Sequence, residues 1–594
     1  MTTTLPKLLR RNAGTMGARP AIRERRRGIW QTVNWALYDA NVQTFAGGLA
    51  TQGFRRGDRL AVLGDNRPNL YCALLAAQAL GGVGVPIWPD ADAAWLASVL
   101  RDAAVSVVVA EDRDQIEKLL AIRHDLPDLT TIVCCDPDDD DPPLPRSFDS
   151  IMAAGRLGDT DVAAAVAAGQ PDDPALLCYT TPGTGRPRGV VLSHANLIGA
   201  AEALLATEDF RPTDNCLSFL PMAWIGDALY STTLGLLVGF TCNCPEDPET
   251  ARRDLREIGP TFLLAPPRVW GSLLTEIETK AMAATPLKRR LFNYFRRRAE
   301  HAAPRRWLGE VLIYASLRDQ IGLGRARWAH VGGGTLAPDQ ARLFRGFGVN
   351  LKQTYGPAEL SGIVALGVPA ASGAIGPACP GIALRIAPNG EIEVRSPGIC
   401  LGYHGGEDTS LTHDGWWRTG DSGRLDARGA LTVTGRLSDL ASLDDGTCFA
   451  PEEVEIVLRG SRFIADVVAP GQDCAMIVID PVTVVNWARG NAIAHTTLAE
   501  LIAMPAFRQM FREEIRARNT VLPKSLQVRR FALLEGGTAA GTEAGLSRER
   551  QRRTLLDANA GLAEALSRRE CDDGPWAIED LDCEVRAARE HADA

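Results

Sequence analysis

From about residue 35 to 240 the chain alternates short apolar runs with helix-like stretches, and this alternation restricts the fold more than any other feature. Arg59–Leu63 (RLAVL), Val105–Ala110 (VSVVVA) and Thr131–Cys134 (TIVC) have the length and β-branched content of buried strands. Ala36–Thr51 and Tyr71–Leu80 read as the helices between strands. Strand–helix alternation predicts a parallel sheet in an α/β fold. A chain of 594 residues is too long for one core. At ordinary domain sizes it predicts about three to five units, grouped into two lobes.

After Gly381 the pattern changes. GEIEVRSPG (Gly390–Gly398) and GALTVTG (Gly429–Gly435) suggest short strands and hairpins. Beyond Arg436 a helix is expected from Pro451, whose first turn carries Glu452 and Glu453 as the helix dipole favours. Strands are expected at Ala465–Ala469 and Ala475–Asp480. The expected division is a large domain over residues 1–436, a small α+β domain over 437–568, and a peripheral acidic tail over 569–594. The run DPDDDDPPLP (Asp136–Pro145) reads as a solvated loop.

Several classes are disfavoured. A hydrophobic share of 45% and a charged share of 23% are those of a globular chain, not of a disordered or coiled-coil one. A formal charge of −9 argues against a mainly electrostatic nucleic-acid binder, so no nucleic-acid partner is expected. Thirteen cysteines without a CxxC repeat or zinc spacing suggest reduced, mostly buried thiols in a cytoplasmic protein. The first residues, MTTTLPKLLRRNAGTMGARP, lack the apolar stretch of a signal peptide. The apolar run Ala73–Pro89 is broken by Gly81, Gly82, Gly84 and Pro86, so no spanning helix is expected.

The segment ALLCYTTPGTGRPRGVVLSHANL (Ala175–Leu197) carries the most chemical information. An apolar strand enters a Thr/Gly loop, leaves through GVVL and reaches Ser193, a good helix N-cap. Glycines and hydroxyls expose donors that can cradle phosphate oxygens. Neither a Walker A sequence nor a dinucleotide G-x-G-x-x-G after a strand is present. Taken alone, the loop is either a phosphate site or an ordinary strand–helix turn.

Further segments follow in order: GGGTLAPD (Gly332–Asp339), YGPAEL (Tyr355–Leu360), GWWRTGDSG (Gly415–Gly423) and GRLSDL (Gly435–Leu440). With these the chain resembles the adenylate-forming superfamily of acyl-CoA synthetases, luciferases and peptide-synthetase adenylation domains. FLPMAWIGD (Phe219–Asp227), REIGPTFLLAPPRVW (Arg256–Trp270) and LDDGTCFAPEEVEIVL (Leu443–Leu458) are most similar to bacterial long-chain fatty acyl-CoA ligases.

The resemblance implies ATP-dependent activation of a fatty acid through acyl-AMP to a CoA thioester, with Mg²⁺ and a rotating C-terminal lid. It implies nucleotide contacts at Thr180, Thr181, Gly183, Thr184, Gly185 and Gly356. Gly332, Gly333 and Gly334 would let the backbone approach the adenine, with Tyr355 packing on the ring. Asp421 would accept the ribose hydroxyls, and Arg436 would contact ribose or phosphate. Glu359, with Thr184, would hold Mg²⁺, a hard cation suited to oxygen ligands. Glu359 and Arg436 are thus the implied catalytic residues, Trp224 an aromatic gate to the acyl tunnel, and Ser438 and Asp439 the hinge.

The phosphate side departs from the family pattern. Where the family reads T/S-S-G-T-T-G-x-P-K-G, this chain has Pro182 for a glycine, Gly183 for a hydroxyl residue and Arg188 for lysine. Proline removes a backbone donor from a loop meant to wrap phosphates. Ala358 stands where the family's Y-G-x-T-E has threonine. The family also places a lysine near its C-terminus, in a segment like Leu546–Arg553; here Gln551 takes that position, and no lysine follows Lys524. Arg548, Arg550 and Arg552 are the nearby cations. Two readings follow: an atypical acyl-CoA ligase, or a pseudo-synthetase that binds AMP, acyl-AMP or an acyl group in a regulatory or scaffolding role. Leu287–Trp307 is basic and amphipathic, and either packs on the body as a solvated helix or makes peripheral contact with an anionic membrane.

Overall fold

The computed structural model describes residues 3–137, 146–180, 187–299, 309–369, 373–406, 410–442, 448–535, 548–568 and 578–581. Most of the expected loop Asp136–Pro145 therefore lies outside the described residues, as do Thr181, Pro182, Gly183, Thr184, Gly185 and Arg186.

The alternating region builds an eight-stranded sheet. Its parallel part runs Pro174–Thr180, Val83–Ile87, Arg59–Leu63, Val107–Ala110, Thr131–Cys134 and Arg146–Ser147 in spatial order. The helices Trp35–Thr51 and Pro68–Ala79 connect strands as expected. The first is capped by the Asn34 side chain, which accepts from the Leu37 N–H at 2.8 Å. The second opens on Pro68, pre-set for a first turn. The sheet is not wholly parallel: Arg188–Ser193 turns back antiparallel on Pro174–Thr180, and Gly402–Tyr403 adds an antiparallel edge. The strands on either side of the Thr/Gly segment therefore pair antiparallel, an exception to the parallel sheet that the alternation suggests. Ser193 does cap the following helix, in a capping box with Asn196.

Two four-stranded sheets lie beside this one. One has Asn215–Leu217, Thr241–Cys244, Pro20–Arg26 and Ile29–Asn34; the other has Phe262–Ala265, Trp328–Val331, Leu351–Tyr355 and Ala365–Gly367. In the second, the first three strands are parallel, so their carboxyl ends point the same way. An antiparallel sheet then forms from Ala383–Ile386, Glu391–Arg395, Trp417–Leu425 and Leu431–Arg436.

After the turn Leu437–Asp439 the chain builds a smaller unit with its own core, including Val454, Leu458, Phe507, Phe511 and Phe531. Its sheet is ordered Ile464–Gly471, Cys474–Ile479, Arg530–Leu534 and Ile578–Asp580. The fold is therefore mixed α/β, with a large N-terminal domain and a smaller C-terminal one. The last strand corrects one expectation: Ile578–Asp580, inside the presumed peripheral tail, pairs antiparallel with Arg530–Ala532. Buried Glu579 is held there by Arg508 and Arg512, so an acidic residue reads as solvated in sequence yet is ion-paired in the fold.

Helix Pro286–Ala299 covers the start of the basic amphipathic segment. Phe292 and Phe295 are buried, the former near Phe347 and the latter against Tyr314, whose hydroxyl donates to the Phe295 carbonyl at 2.9 Å. Leu287, Lys288, Arg289, Arg290 and Tyr294 face outward. Among the described residues no helix is long and apolar enough to cross a membrane. Nine cysteines, among them Cys72, Cys178 and Cys474, are buried, and Cys135 is partly buried.

Candidate active site

Two parallel strands deliver the centre of the site. Trp328–Val331 runs into Gly332–Gly334, and its neighbour Leu351–Tyr355 runs into Gly356–Glu359. Loops outside the carboxyl ends of parallel strands are where ligands gather in α/β folds.

The glycine run is shaped by close neighbours. Gly333 and Gly334 have φ of +70° and +156°, open to glycine and unfavourable for other residues. A Cβ on Gly333 would lie 3.3 Å from the Trp224 ring, and one on Gly332 would lie 3.0 Å from Thr354 Oγ1. Half-buried Trp224 therefore packs on the glycine loop itself, so the implied acyl gate and the implied adenine wall are adjacent. Gly356 has a purely steric reason to be glycine: a Cβ there would meet the Gly362–Ile363 backbone at 2.3 Å.

Tyr355, Asp421 and Arg436 form one cluster. The Tyr355 hydroxyl donates to Asp421 Oδ2 at 2.6 Å, and Arg436 approaches Asp421 Oδ1 at 3.2 Å. Asp421 and Arg436 are register partners on adjacent antiparallel strands, which fixes their pairing through the backbone. Arg436 also donates to the Thr419 carbonyl at 3.3 Å. Burial and the Asp421 carboxylate push the Tyr355 hydroxyl far above its ordinary range, so it stays a donor.

Glu359 stands at the other end of the same loop, on the short turn Ala358–Leu360. The Tyr403 hydroxyl donates to Glu359 Oε1 at 2.7 Å, and the Cys400 N–H donates to the Glu359 carbonyl at 2.8 Å. The Arg188 guanidinium lies over the Tyr403 ring, 3.5 Å from its centroid. Burial, then the Glu359 carboxylate, raises the Tyr403 hydroxyl well above its ordinary range. Sequence reasoning passed over Tyr403; the only signal was its place in LGYHG, after the antiparallel sheet begins. Thr180 pairs with Arg188 across the hairpin, its hydroxyl 3.5 Å from the Arg188 carbonyl.

The residues expected at the hinge, with Arg552, form a third group. Ser438 donates to Asp439 at 3.2 Å, and Arg552 bridges Asp439 at 3.5 Å and Glu455 at 3.0 Å. Glu455 is fully buried and also accepts from the Ala469 N–H at 3.0 Å. Arg552 further donates to the Ala469 carbonyl at 3.3 Å. This cation is engaged within the small domain and at its junction with the Leu437–Asp439 turn. The segment up to Ser547 lies outside the described residues.

Among the described residues no group of three or more His, Cys, Asp or Glu could hold a metal. A lone carboxylate is still a fitting ligand for Mg²⁺, which keeps waters and takes substrate phosphate oxygens beside one or two carboxylates.

The family model for AMP-binding enzymes matches residues 9–404. Long-chain-fatty-acid–CoA ligase FadD15 of Mycobacterium tuberculosis is 28% identical over 540 residues, covering 85% of this chain and 87% of that protein. Long chain acyl-CoA synthetase 7, peroxisomal, of Arabidopsis thaliana is 26% identical, covering 85% of this chain and 75% of that one. Among solved structures, the adenylation domain of a carboxylate reductase from Mycobacterium chelonae superposes with a TM-score of 0.73 at 20% identity, over 95% of this chain and 91% of that one. The anthranilate CoA ligase AuaEII in complex with anthranoyl-AMP gives 0.71 at 17% identity, over 95% and 98%. With a family model spanning most of the large domain and the adenylate-forming fold spanning nearly the whole chain, this protein belongs to the AMP-binding enzyme family.

Proposed function

We propose that the chain activates a long-chain fatty acid with ATP, forming acyl-AMP and pyrophosphate, and then passes the acyl group to the thiol of CoA. The observation that carries this reading is the cluster of Tyr355, Asp421 and Arg436, with Tyr355 at the start of the loop that carries Glu359. The relatives named as long-chain acyl-CoA ligases support the substrate class.

In this reading Asp421 and Tyr355 hold the ribose and adenine, so the α-phosphate faces the space between Glu359 and Arg436. The chemistry is mainly positioning and electrostatics, because charge is rearranged at phosphorus without a covalent enzyme intermediate. When bound through Glu359, and through Thr184 on the phosphate loop, Mg²⁺ would neutralise phosphate charge. Arg436 stabilises the developing negative charge from the sugar side, and Trp224 closes the acyl entrance beside the glycine loop. Residues 1–436 and 437–568 act as body and lid, turning about Ser438–Asp439. The outward face of helix Pro286–Ala299 gives the body a basic, partly apolar patch for peripheral contact with an anionic membrane.

A second reading is favoured by one observation. Arg552, one of the cations near the missing lid lysine, is engaged by Glu455 and Asp439. That leaves a family member that retains the nucleotide-sugar contacts and binds AMP or acyl-AMP with little adenylation. The two readings separate in calorimetry. A ligase binds Mg-ATP tightly and AMP more weakly; a pseudo-synthetase binds AMP as well as or better than Mg-ATP.

A further inference from the structure

The strap Cys400–His404 ties the two halves of the phosphate side together. At one end the Cys400 N–H bonds the Glu359 carbonyl at 2.8 Å; at the other the His404 N–H bonds the Gly189 carbonyl at 2.7 Å. Between them Gly402 and Tyr403 pair with Val191 and Val190, on the strand that leaves the Thr/Gly loop. The Tyr403 ring is packed near Trp417, with centroids 6.0 Å apart, and covered by the Arg188 guanidinium. Its hydroxyl reaches Glu359 Oε1. One side chain thus touches both the carboxylate on the Tyr355 loop and the cation at the exit of the phosphate loop.

We propose that Tyr403 is the positioning residue of the phosphate side: its hydroxyl orients Glu359 toward a nucleotide-bound divalent cation, while its ring holds Arg188 as the phosphate-facing charge at the loop exit. This rests on the reading of the site as one for Mg-ATP. The hydrogen bond occupies Oε1 and fixes the carboxylate plane, leaving Oε2 for a metal. Groups of this kind, one shell behind a ligand, commonly set metal affinity. The ring face also gives a reason for arginine where the family pattern has lysine. A planar guanidinium lies flat on an aromatic ring, whereas a compact, strongly hydrated ammonium has no such plane to stack.

The test uses the full-length protein and Mn²⁺ as the probe, with free and bound metal read by electron paramagnetic resonance in the presence of ATP. Metal-free ATP binding is read separately by calorimetry in chelator. Tyr403→Phe keeps the ring and removes the hydroxyl. It is expected to weaken ATP-dependent Mn²⁺ binding by about 10–100-fold, the scale for losing an outer-shell partner, and to leave metal-free ATP binding unchanged. Arg188→Gln is expected to do the reverse, weakening metal-free ATP more than Mn²⁺. Equal Mn²⁺ affinity in the wild type and Tyr403→Phe overturns the proposal alone. So does a Tyr403→Phe variant that loses Mn²⁺ and metal-free ATP by the same factor, since that is a general loss of structure. A wild type that binds no Mn²⁺ with ATP overturns the Mg-ATP reading of the site together with this proposal.

Discussion

The sugar side and the phosphate side of the site are built differently. On the sugar side the strand register pairs Asp421 with Arg436, Tyr355 reaches Asp421 from another sheet, and both Asp421 oxygens have protein partners. On the phosphate side the key groups come from chain segments far apart in sequence, joined by one tyrosine that bonds Glu359 and underlies Arg188. The sugar side follows the family pattern, while the phosphate side departs from it at Pro182, Gly183, Arg188 and Ala358. If the proposed roles hold, the groups facing the sugar keep the family pattern while those facing the phosphates are rebuilt around new contacts.

The sharpest way to break this contrast is to remove one group from each side. Glu359→Gln is expected to lower acid-dependent AMP formation by about 10²–10³-fold, as for losing one preorganised electrostatic group, with AMP binding largely retained. Asp421→Ala acts on the other quantity. It leaves Arg436 and Tyr355 without their shared acceptor and is expected to weaken AMP binding by about 10–100-fold, the worth of hydrogen bonds to a charged group. Calorimetry with AMP separates the two. If Glu359→Gln lost AMP affinity as severely as Asp421→Ala, the division into two sides would not stand.

The lid offers the next test, on stability. Arg552→Ala would take a cationic partner from the fully buried Glu455 carboxylate. Breaking such a pair from one side costs about 3–5 kcal/mol. Denaturant unfolding, or hydrogen exchange over Pro451–Arg459, should report the loss, and adding Glu455→Gln should recover much of it. Full stability in the single variant would free Arg552 to act as the replacement for the missing lysine.

These features differ in how far they could be read from residues alone. The strands Arg59–Leu63 and Thr131–Cys134 fall where their apolar runs place them, because a buried parallel strand must be apolar on both faces. Tyr355 and Asp421 were singled out because YGPAEL and GWWRTGDSG resemble family motifs, but neither segment shows that the two side chains meet. Tyr403 was not singled out, since its importance lies in a pairing with Val190 that local sequence does not encode. Ile578–Asp580 was missed for a related reason: Glu579 is buried only because Arg508 and Arg512 come from a distant helix. Searching the lid for a lysine counts charges but does not reveal that Arg552 already has partners.

The smallest expected effect lies behind the site, and it checks that the contrast is local. Buried Asp227, three residues beyond Trp224, accepts from Tyr71 at 2.8 Å and from Ser218 at 2.7 Å, beside a small apolar cavity lined by Leu74, Leu176 and Met222. Burial pushes its carboxyl up from 3.8 to about 7. The unfolded chain releases this proton first, so between those limits the native state binds more protons and stability falls as pH rises. Asp227→Asn is expected to gain on the wild type as pH is raised through that window, with no further change above it. A pH-independent difference between the two proteins would contradict the buried, proton-retaining carboxyl.

The most direct test of the whole account is acid-dependent AMP formation by the purified protein, with Mg-ATP, CoA and a panel of short to long fatty acids. The account predicts AMP release that requires both acid and CoA, rises with chain length and falls by about 10²–10³-fold in Glu359→Gln. No AMP above background across the panel, from protein that still binds AMP tightly, would contradict it and leave the pseudo-synthetase reading in its place.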